Sequence, residues 1–539
     1  MTQQLNRTAS GILLPYAVPS LSTRAWIGWA GRMGRAEDKK STLPALWDLQ
    51  GLPTDPRWWR AGDVDGAGAR AHYARMEEHG DMRYTNGSAG FYGPPGGLKS
   101  SWLAIQAFMW NHTLFSITTK NDLARWLASY RSQLGPVWYI DWSGAPAPVP
   151  GMRLAHWSPL EGLDGPDGVD LAGERAKAMW EAANRGASAE KLAWAGNGTT
   201  LLKVLLFAAA NAPGPSDDNG RMALVNKWLA TKDMAGPTNI ILDTGDRGAG
   251  LKDELAKVSG AADQTTHGMY FTVAPVLEWL TRTAVREITS RTDFDPVRFL
   301  TGGPATLLII DPMGESQESP VRALTCGLFS RLISVARRLA AAEKGDDTWP
   351  EHHLRNRVLW QADEIAHTAP IDVVGLIGTV RELGFFSFAT QLYGQIEAKY
   401  GVQGAKNMWA LARYRILGPE VAEPELLSKM ERLLGTQMVE SKSNTTSSSG
   451  QGASTSFGER KEPIWSEAQL GQIQRGEAML HGEGKGALIQ LRHPRSIEPF
   501  RSMIGDEITQ WEWSANSKSW QPEGGASADE ALAAAVVPS

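Results

Sequence analysis

The sequence predicts an α/β fold in which a largely parallel sheet is interrupted by a helical domain. Short apolar segments alternate with helical segments over 83–140 and again over 306–417, a pattern typical of the strand–helix units that build parallel sheets. Between these two runs, 172–294 carries apolar residues at helical spacing. We therefore predict that the helical block is inserted into a single sheet.

Composition bounds the class of protein. The chain has 539 residues, of which 42% are hydrophobic and 21% charged, which suits two or three globular domains. The net charge of −5 excludes a protein that coats nucleic acid with its whole surface, so any such contact must be local. The lone Cys326 excludes an internal disulfide framework. No apolar stretch reaches the roughly 20 residues of a membrane span, and 1–21 has no secretory pattern, so we expect a soluble cytosolic protein.

The elements of the α/β runs follow from periodicity and from breaks at Gly and Pro. A strand containing Phe91 leads into a Gly/Pro-rich turn and then a helix that contains Trp102 and Phe108. The further predicted strands are 113–118, 137–140, 306–311, 358–360, 385–390 and 410–417, and the helices are 123–134, 321–343 and 371–383. The block also contains a strand-like run at 238–242, and 477–492 is predicted to be a hairpin.

These elements divide the chain into seven segments. The linker is assigned on its Ser, Thr, Gly and Lys content, because such a stretch cannot bury enough apolar area to offset its ordering. The segments are an irregular N-terminal part (1–80), the first part of the core (81–165), an all-α domain (166–298), the second part of the core (299–438), a disordered linker (439–464), a small β-containing extension (465–515) and a loose tail (516–539).

The turn after the first strand has the composition of a phosphate-binding loop. It follows a strand and opens a helix, which is the context such a loop needs. Glycines let backbone N–H groups surround phosphate oxygens, the helix N-terminus adds positive potential, Lys99 would neutralise the β and γ phosphates, and the Ser100 hydroxyl would hold Mg²⁺. The loop consists of Gly93, Pro94, Pro95, Gly96, Gly97, Leu98, Lys99, Ser100 and Ser101.

The loop departs from the usual pattern at one position. Leu98 stands where a glycine ordinarily precedes the lysine, and its Cβ is expected to crowd the backbone near the phosphates. Gly97 would compensate in part if the loop were shifted by one residue. The alternative is a Gly/Pro-rich turn that only caps a helix.

An acidic pair follows the predicted strand at 358–360. In a fold with a phosphate loop, the phosphates lie at the carboxyl ends of the strands. Asp363 is therefore predicted to bind Mg²⁺ through water, and Glu364 to polarise the attacking water. The alternative is an acidic pair that caps the following helix.

Two further residues are predicted to act on phosphate. Gln391, at the end of the next strand, is predicted to sense the γ-phosphate. Arg381 is predicted to reach the phosphate of a neighbouring subunit, although an exposed structural arginine is an equal alternative.

Several segments together resemble the TraG/TraD-like coupling proteins of type IV secretion, in the order in which that family has them. The resemblance covers 83–438, with a weaker match at 465–500. The matching segments are 93–101 (the phosphate loop), 118–123 (Thr-Thr-Lys-Asn-Asp-Leu), 137–144, 156–160 (His-Trp-Ser-Pro-Leu), 363–364 (the acidic pair), 391–392, 400–401 and 433–435.

The resemblance implies a RecA-like P-loop NTPase core with an inserted all-α domain and a flexible C-terminal extension. It also implies an ATPase that uses ATP and Mg²⁺, assembles as a homo-hexamer, and moves single-stranded DNA or a relaxase–DNA complex to the proteins of a conjugation channel. The family often has N-terminal membrane helices, and this sequence shows no transmembrane segment. It is therefore expected to be cytoplasmic, either free or peripheral at the inner face of the membrane through a partner.

Two alternatives remain open at this stage. Because Leu98 replaces glycine, the chain is also consistent with a scaffold of the same fold that does not hydrolyse nucleotide and recruits cargo. A different ring ATPase, such as a chromosome-segregation translocase, is disfavoured because the segment 156–160 is followed by the helical block.

Overall fold

The computed structural model describes residues 87–110, 112–145, 149, 152–185, 188–260, 263–312, 319–343, 358–446, 453–482, 485–491, 493–496, 500–504, 511–514 and 519–522. The predicted N-terminal segment 1–80 and most of the predicted tail lie outside these residues. The chain divides into two compact units. The described residues of 87–110 and 385–503 form the first unit, and those of 112–384 and 504–522 form the second.

The elements are numbered in chain order. The strands are β1 (Gly87–Tyr92), β2 (Thr113–Thr118), β3 (Val137–Asp141), β4 (Arg153–Leu154), β5 (Thr306–Ile310), β6 (Val358–Ala362), β7 (Phe385–Thr390), β8 (Tyr414–Leu417), β9 (Thr436–Thr446), β10 (Ala453–Pro463), β11 (Glu477–Gly482), β12 (Lys485–Gln490), β13 (Trp511–Ser514) and β14 (Ser519–Pro522). The α-helices are α1 (Lys99–Met109), α2 (Asp122–Leu134), α3 (Gly168–Ala183), α4 (Ala189–Ala193), α5 (Ala195–Ala210), α6 (Asp218–Thr231), α7 (Ala235–Asp243), α8 (Lys252–Ser259), α9 (Asp263–Val273), α10 (Thr283–Ile288), α11 (Pro296–Thr301), α12 (Arg322–Ala342), α13 (Val373–Leu383), α14 (Tyr393–Leu411), α15 (Pro424–Leu434), α16 (Glu467–Leu470) and α17 (Phe500–Ile504). Among the helices that the structure describes, none combines the length and the apolar character that a bilayer-spanning segment requires.

The first unit contains a mixed sheet with strand order β12–β11–β8–β1–β7. β1 is parallel to both of its neighbours, and Tyr92 lies opposite Thr390 of β7 and Leu417 of β8. All residues of β1 and β7 are buried, as expected of parallel strands that are covered on both faces. The predicted hairpin at 477–492 is present, and β11 extends the sheet by pairing antiparallel with β8.

The second unit contains a parallel sheet with strand order β6–β2–β5–β3–β4. A buried arginine ties α2 to the beginnings of two of these strands. The Arg131 guanidinium donates to Thr306 Oγ1 at 2.8 Å and to the carbonyls of His112 and Ala305. Burial lowers the pKa of Arg131 to about 10, so the side chain stays charged at neutral pH, and its donors satisfy strand ends that would otherwise lack partners.

The helical domain of the second unit surrounds α5. This helix packs against α3, α6, α7 and α9, and its residues from Leu201 to Ala210 are buried with the exception of Lys203, as expected of a central helix. The strand predicted at 238–242 is wrong, because these residues lie in α7. Helical spacing places Pro237 and Ile241 on one buried face and leaves Leu242 exposed, so packing against α5 overrides the local β-propensity of the Ile-Ile-Leu run.

A buried ion triad fixes the entry of the chain into this domain. The Glu161 carboxylate accepts from Arg175 at 2.9 Å and from Arg331 of α12 at 3.0 Å. Arg175 also donates to the carbonyls of Pro159 and Glu161 and stacks on the Trp157 ring at 5.3 Å. Burial alone would raise the pKa of Glu161, but the two arginines overcome that effect and lower it. The triad of Glu161, Arg175 and Arg331 is called the clamp. It joins the end of the predicted segment 156–160 to α3 and α12.

The linker predicted at 439–464 is not a disordered segment where the structure describes it. β9 and β10 pair antiparallel from Thr436–Pro463 to Thr446–Ala453. This ribbon pairs with no other described strand. The composition of the segment does not exclude a ladder of backbone hydrogen bonds, and threonine favours one. Two smaller differences are that 410–411 belong to α14 rather than to β8, and that 519–522 of the predicted tail form β14.

Replacing Glu161 tests the clamp. Glu161→Gln should lower the free energy of unfolding by about 3–5 kcal/mol, because two buried guanidinium groups lose their countercharge. The control is Glu254→Gln, since Glu254 pairs with Lys203 at 3.0 Å in a half-exposed pair of the same domain and its loss should cost about 1 kcal/mol or less. Equal destabilisation of both variants in denaturant unfolding would contradict the role of the triad.

His481 of β11 generates a prediction on pH. It lies opposite Arg415 of β8 and is buried. Burial, and then repulsion by Arg415, lower the pKa of His481 to about 4, whereas an unfolded chain has a histidine pKa of about 6.5. The unfolded state therefore binds more protons between these two values, and stability should fall as the pH drops from 6.5 towards 4.

His481→Gln should remove this contribution, which is at most about 1.4 kcal/mol per pH unit. The measurement is guanidinium unfolding of parent and variant at pH 7.5 and pH 5, with the exposed His267→Gln as control. Between pH 7.5 and pH 5, the free energy of unfolding should fall more in the parent than in His481→Gln. A stability difference between parent and variant that is constant across this range would show that His481 is not held neutral.

Candidate nucleotide site

The predicted phosphate loop lies at the carboxyl end of β1 in the first unit. The Gly93 N–H donates to the Thr390 carbonyl of β7 at 3.1 Å, and the Gly418 N–H donates to the Tyr92 carbonyl at 2.7 Å. The loop therefore begins between the ends of two parallel neighbours. A Cβ on Gly93 would lie 3.2 Å from Gly418 Cα, so this close approach of two backbones requires glycine.

Lys99 is held inside the loop. Its ammonium group donates to the carbonyls of Gly93 and Pro94, both at 3.0 Å, and the residue is 4% exposed. The loop is closed by a turn in which the Gly97 N–H donates to the Pro94 carbonyl at 3.1 Å. A buried lysine is costly unless its charge is solvated by polar groups, and the loop carbonyls supply them.

The N-terminus of α1 faces this loop without a side-chain cap. Leu98 is the N-cap residue and makes no side-chain cap hydrogen bond, and the first turn contains no acidic residue. The N-terminus of α14 differs, because the Glu423 carboxylate accepts from the N–H groups of Tyr393 and Gly394 at 2.9 and 3.2 Å. A helix N-terminus with positive potential and no acidic cap suits an anion. The residues of this loop therefore fit the phosphates of a nucleotide.

Leu98 takes the backbone conformation that a glycine would take in its place. Its φ is 62° and its ψ is 25°, in the left-handed region. Gly96 also has a positive φ, of 79°, whereas Gly97 does not. The loop is therefore not shifted by one residue to Gly97, and that predicted compensation is wrong. A left-handed conformation costs a residue with a Cβ about 1–2 kcal/mol.

Gln391 lies at the same edge of the first unit. It follows Thr390, which is opposite Tyr92, so it stands beside Gly93 in register. The structure thus brings the predicted γ-phosphate sensor next to the start of the phosphate loop.

Asp363 and Glu364 lie at the carboxyl end of β6 in the second unit. The Asp363 N–H donates to the Ile117 carbonyl of β2 at 2.8 Å, so the pair begins where β2 also ends. Both residues are buried. Glu364 has a φ of 49°, and such strain in a non-glycine residue concentrates at functional sites. Its carbonyl accepts from His367 and Thr368 in the following turn.

Two further carboxylates at this edge of the second unit were missed by the sequence analysis. Asp311 follows β5 and is buried, and Asp141 ends β3. Burial raises the pKa of Asp141, against hydrogen bonds from Ser143 and Tyr139. The signal was present, because the sequence has an apolar strand ending in an acid at 311 as it has at 363.

Arg381 lies away from these acids in its own chain. It is exposed in the last turn of α13. The Leu383 carbonyl at that end of α13 accepts from the Trp360 indole in the middle of β6 at 2.8 Å, whereas Asp363 follows the end of β6. The predicted role of Arg381 towards a neighbouring subunit stays a prediction, with a structural role as the alternative.

The two residues predicted to bind Mg²⁺ lie in different units. Ser100 is in the first turn of α1 in the first unit, and Asp363 follows β6 in the second. Both side chains carry oxygen donors of the kind that Mg²⁺ prefers. No group of three or more His, Cys, Asp or Glu suited to a metal occurs among the residues that the structure describes.

Comparisons with known proteins agree with this geometry. Residues 357–475 match the family model described as the TraM recognition site of TraD and TraG. The chain is similar to the solved structure of the bacterial conjugative coupling protein TrwBdeltaN70 in an unbound form (TM-score 0.50, 15% identity, covering 75% of this chain and 84% of that one). It is also similar to the plasmid coupling protein TrwB in complex with ADP and Mg²⁺ (TM-score 0.51, 15% identity, covering 75% and 85%). No curated protein sequence matches the chain.

These matches confirm the predicted fold class, a RecA-like P-loop core with an inserted all-α domain. The predicted resemblance to the TraG/TraD-like coupling proteins is likewise confirmed, by the family model over 357–475 and by the fold of TrwB.

Replacing Leu98 tests the strain in the loop. Leu98→Gly should raise the free energy of unfolding by about 1 kcal/mol, or make the free energy of Mg·ATP binding more favourable by the same amount. The reason is that glycine adopts a positive φ without a steric cost. Leu98→Ala is the matched control, since it removes the side chain but keeps the Cβ. Isothermal titration with ATP and thermal unfolding measure both effects. Equal behaviour of the Gly and Ala variants would show that backbone strain is not the property that Leu98 adds.

Proposed function

We propose that this chain is an ATP-dependent DNA-translocating motor, a coupling protein that delivers DNA or a relaxase–DNA complex to a type IV secretion (conjugation) channel. The observation that carries the proposal is the buried ammonium of Lys99, which donates to two carbonyls of a glycine-rich loop at the start of α1. The fold of TrwB, which has been solved with ADP and Mg²⁺, supports the same ligands for this chain. The match of 357–475 to the TraM recognition site of TraD and TraG supports a partner in conjugation.

The loop residues bind and orient the nucleotide in this proposal. Phosphate oxygens replace the carbonyls of Gly93 and Pro94 as partners of Lys99, and the N–H groups at the start of α1 donate to the same oxygens. Ser100 and Asp363 would hold Mg²⁺, which supplies charge neutralisation between the β and γ phosphates when it is bound.

The residues at the strand ends provide the chemistry. Glu364 accepts a proton from the attacking water or orients it, and Gln391 hydrogen-bonds the γ-phosphate and reports its loss to β7. Arg381 stabilises the transferring charge of the neighbouring subunit, which requires a homo-oligomeric ring, proposed to be a hexamer. The proposed cargo is single-stranded DNA with a relaxase, and the proposed place of action is the cytoplasmic side of a secretion channel that the chain reaches through partner proteins.

A second candidate function is a scaffold of the same fold that binds nucleotide without hydrolysing it. The left-handed Leu98 favours it, because the side chain stands at the position where the loop approaches the phosphates. Under this alternative the parent binds Mg·ATP and shows no turnover with or without DNA.

ATP hydrolysis with and without single-stranded DNA tests the proposal. Lys99→Ala should lower kcat by about 100-fold or more, because one cationic donor to the transition state is lost. Glu364→Gln should lower kcat by about 100-fold or more while Mg·ATP binding is retained, because an amide does not accept the proton.

Matched controls are Lys406→Ala and Glu382→Gln, which change exposed residues of α14 and α13. Both should hydrolyse ATP at the parent rate. Turnover at the parent rate in Lys99→Ala and Glu364→Gln would refute the proposed mechanism, and binding without turnover in the parent would select the scaffold.

A further inference from the structure

The inserted helical domain carries an exposed aromatic side chain that its fold does not require. Phe271 of α9 is 67% exposed. The neighbouring Met269, Tyr270 and Val273 are buried and attach the helix to the domain. A polar residue at 271 would leave this packing intact, so the phenylalanine is not explained by the core.

Cationic side chains flank this ring. The Lys191 ammonium of α4 lies 5.2 Å from the Phe271 ring centroid. His267 is one turn before Phe271 on the same helix face, and its Nδ1 is 3.1 Å from the ammonium of Lys232. Arg322 is close enough to lower the pKa of Lys191, after burial as the larger cause. Lys191 and Lys232 therefore place two ammonium groups beside this part of α9, in a chain whose net charge is −5.

A second aromatic ring lies against the same helix. A Cβ on Gly268 would be 2.6 Å from the Trp194 indole, so the glycine allows the indole to pack directly on the backbone of α9. Gly268 precedes Phe271 by three residues on α9, and Trp194 directly follows α4, the helix that carries Lys191. The Phe271 platform is defined as Lys191, Trp194, Lys232, His267 and Phe271.

We propose that the Phe271 platform binds single-stranded nucleic acid, with a base stacked on Phe271 and the phosphates of the same strand next to Lys191 and Lys232. Stacking on an exposed ring beside a positive groove is how proteins hold single strands without reading their sequence. The inference deepens the proposed function and rests on it in one respect, since the strand is the cargo of the motor.

The charges favour a nucleic acid over a protein partner. An apolar protein partner would contact Phe271 together with exposed apolar neighbours such as Leu192, which is 47% exposed. Such a contact would gain little from the two lysines beside the ring. Asp233, which lies close enough to Tyr270 of α9 to help raise its pKa after burial as the larger cause, accepts from the N–H groups of Ala235 and Gly236 at the start of α7. A phosphate-bearing strand uses the ring and the lysines together.

Fluorescence anisotropy of labelled dT20 with the full chain tests the inference. Phe271→Ala should weaken dT20 binding about 10-fold, within the range of losses seen when a stacking ring is truncated. Phe271→Trp should bind at least as tightly as the parent, and Phe271→Leu, which is apolar but has no ring face, should be as weak as the alanine variant. Val402→Ala, an exposed apolar residue of α14, is the control and should bind like the parent. A 20-base-pair duplex, whose bases are already stacked, should lose less than about 2-fold with Phe271→Ala.

Each other outcome overturns the inference. Parent-like dT20 affinity in Phe271→Ala removes the platform. Full affinity in Phe271→Leu assigns the surface to an apolar protein contact instead, and an equal loss on duplex assigns the effect to charge alone. ATP hydrolysis without DNA is measured in parallel for the parent, Val402→Ala and Lys99→Ala, so a failure of this inference is distinct from a failure of the motor, which Lys99→Ala decides.

Discussion

The two hydrogen bonds from Lys99 to the carbonyls of Gly93 and Pro94 set the requirements for the rest of the first unit. A buried ammonium must sit where backbone oxygens already converge, so the loop has to close tightly after β1. That closure needs the ends of β7 and β8 beside it, which is why Gly93 donates to one and Tyr92 accepts from the other. The same closure forces Leu98 into the left-handed region. Strain at Leu98 and burial of Lys99 are thus two consequences of one loop geometry.

The sequence predicted the parts of the fold that local physics determines. β2 and β7 begin and end where they were predicted, because a buried parallel strand is a continuous apolar run bounded by turn residues. The failures have tertiary causes. The run at 238–242 has strand-like residues but is held as a helix by α5, and the polar segment after Thr436 forms a ladder that composition alone does not reveal.

The sequence predicted the residues of the candidate site where a motif determines both which residues take part and where they lie in the fold. It predicted the other residues less well. Gly93–Ser101 follows a strand and opens a helix as predicted. Gln391 follows Thr390, whose carbonyl accepts from the Gly93 N–H, because parallel strands end at one edge. Asp311 was missed because a single acid follows the apolar strand there, whereas two consecutive acids follow the strand at 363–364. The position of Arg381 depends on which end of α13 meets β6, and no local pattern encodes that.

In the proposed motor, the acidic net charge and the local cationic platform are compatible with movement of a strand. Sequence-independent phosphate contacts let a protein slide along nucleic acid, and their strength falls as salt rises. A ring face accepts any base, so a strand that leaves one position would be accepted again at the next. Two lysines beside an exposed phenylalanine, in a chain of acidic net charge, would therefore favour repeated weak contacts over a single strong one. The ion triad at Glu161 complements the proposal, because the helical domain would pass force to the strand ends only if its connection to the sheet were rigid.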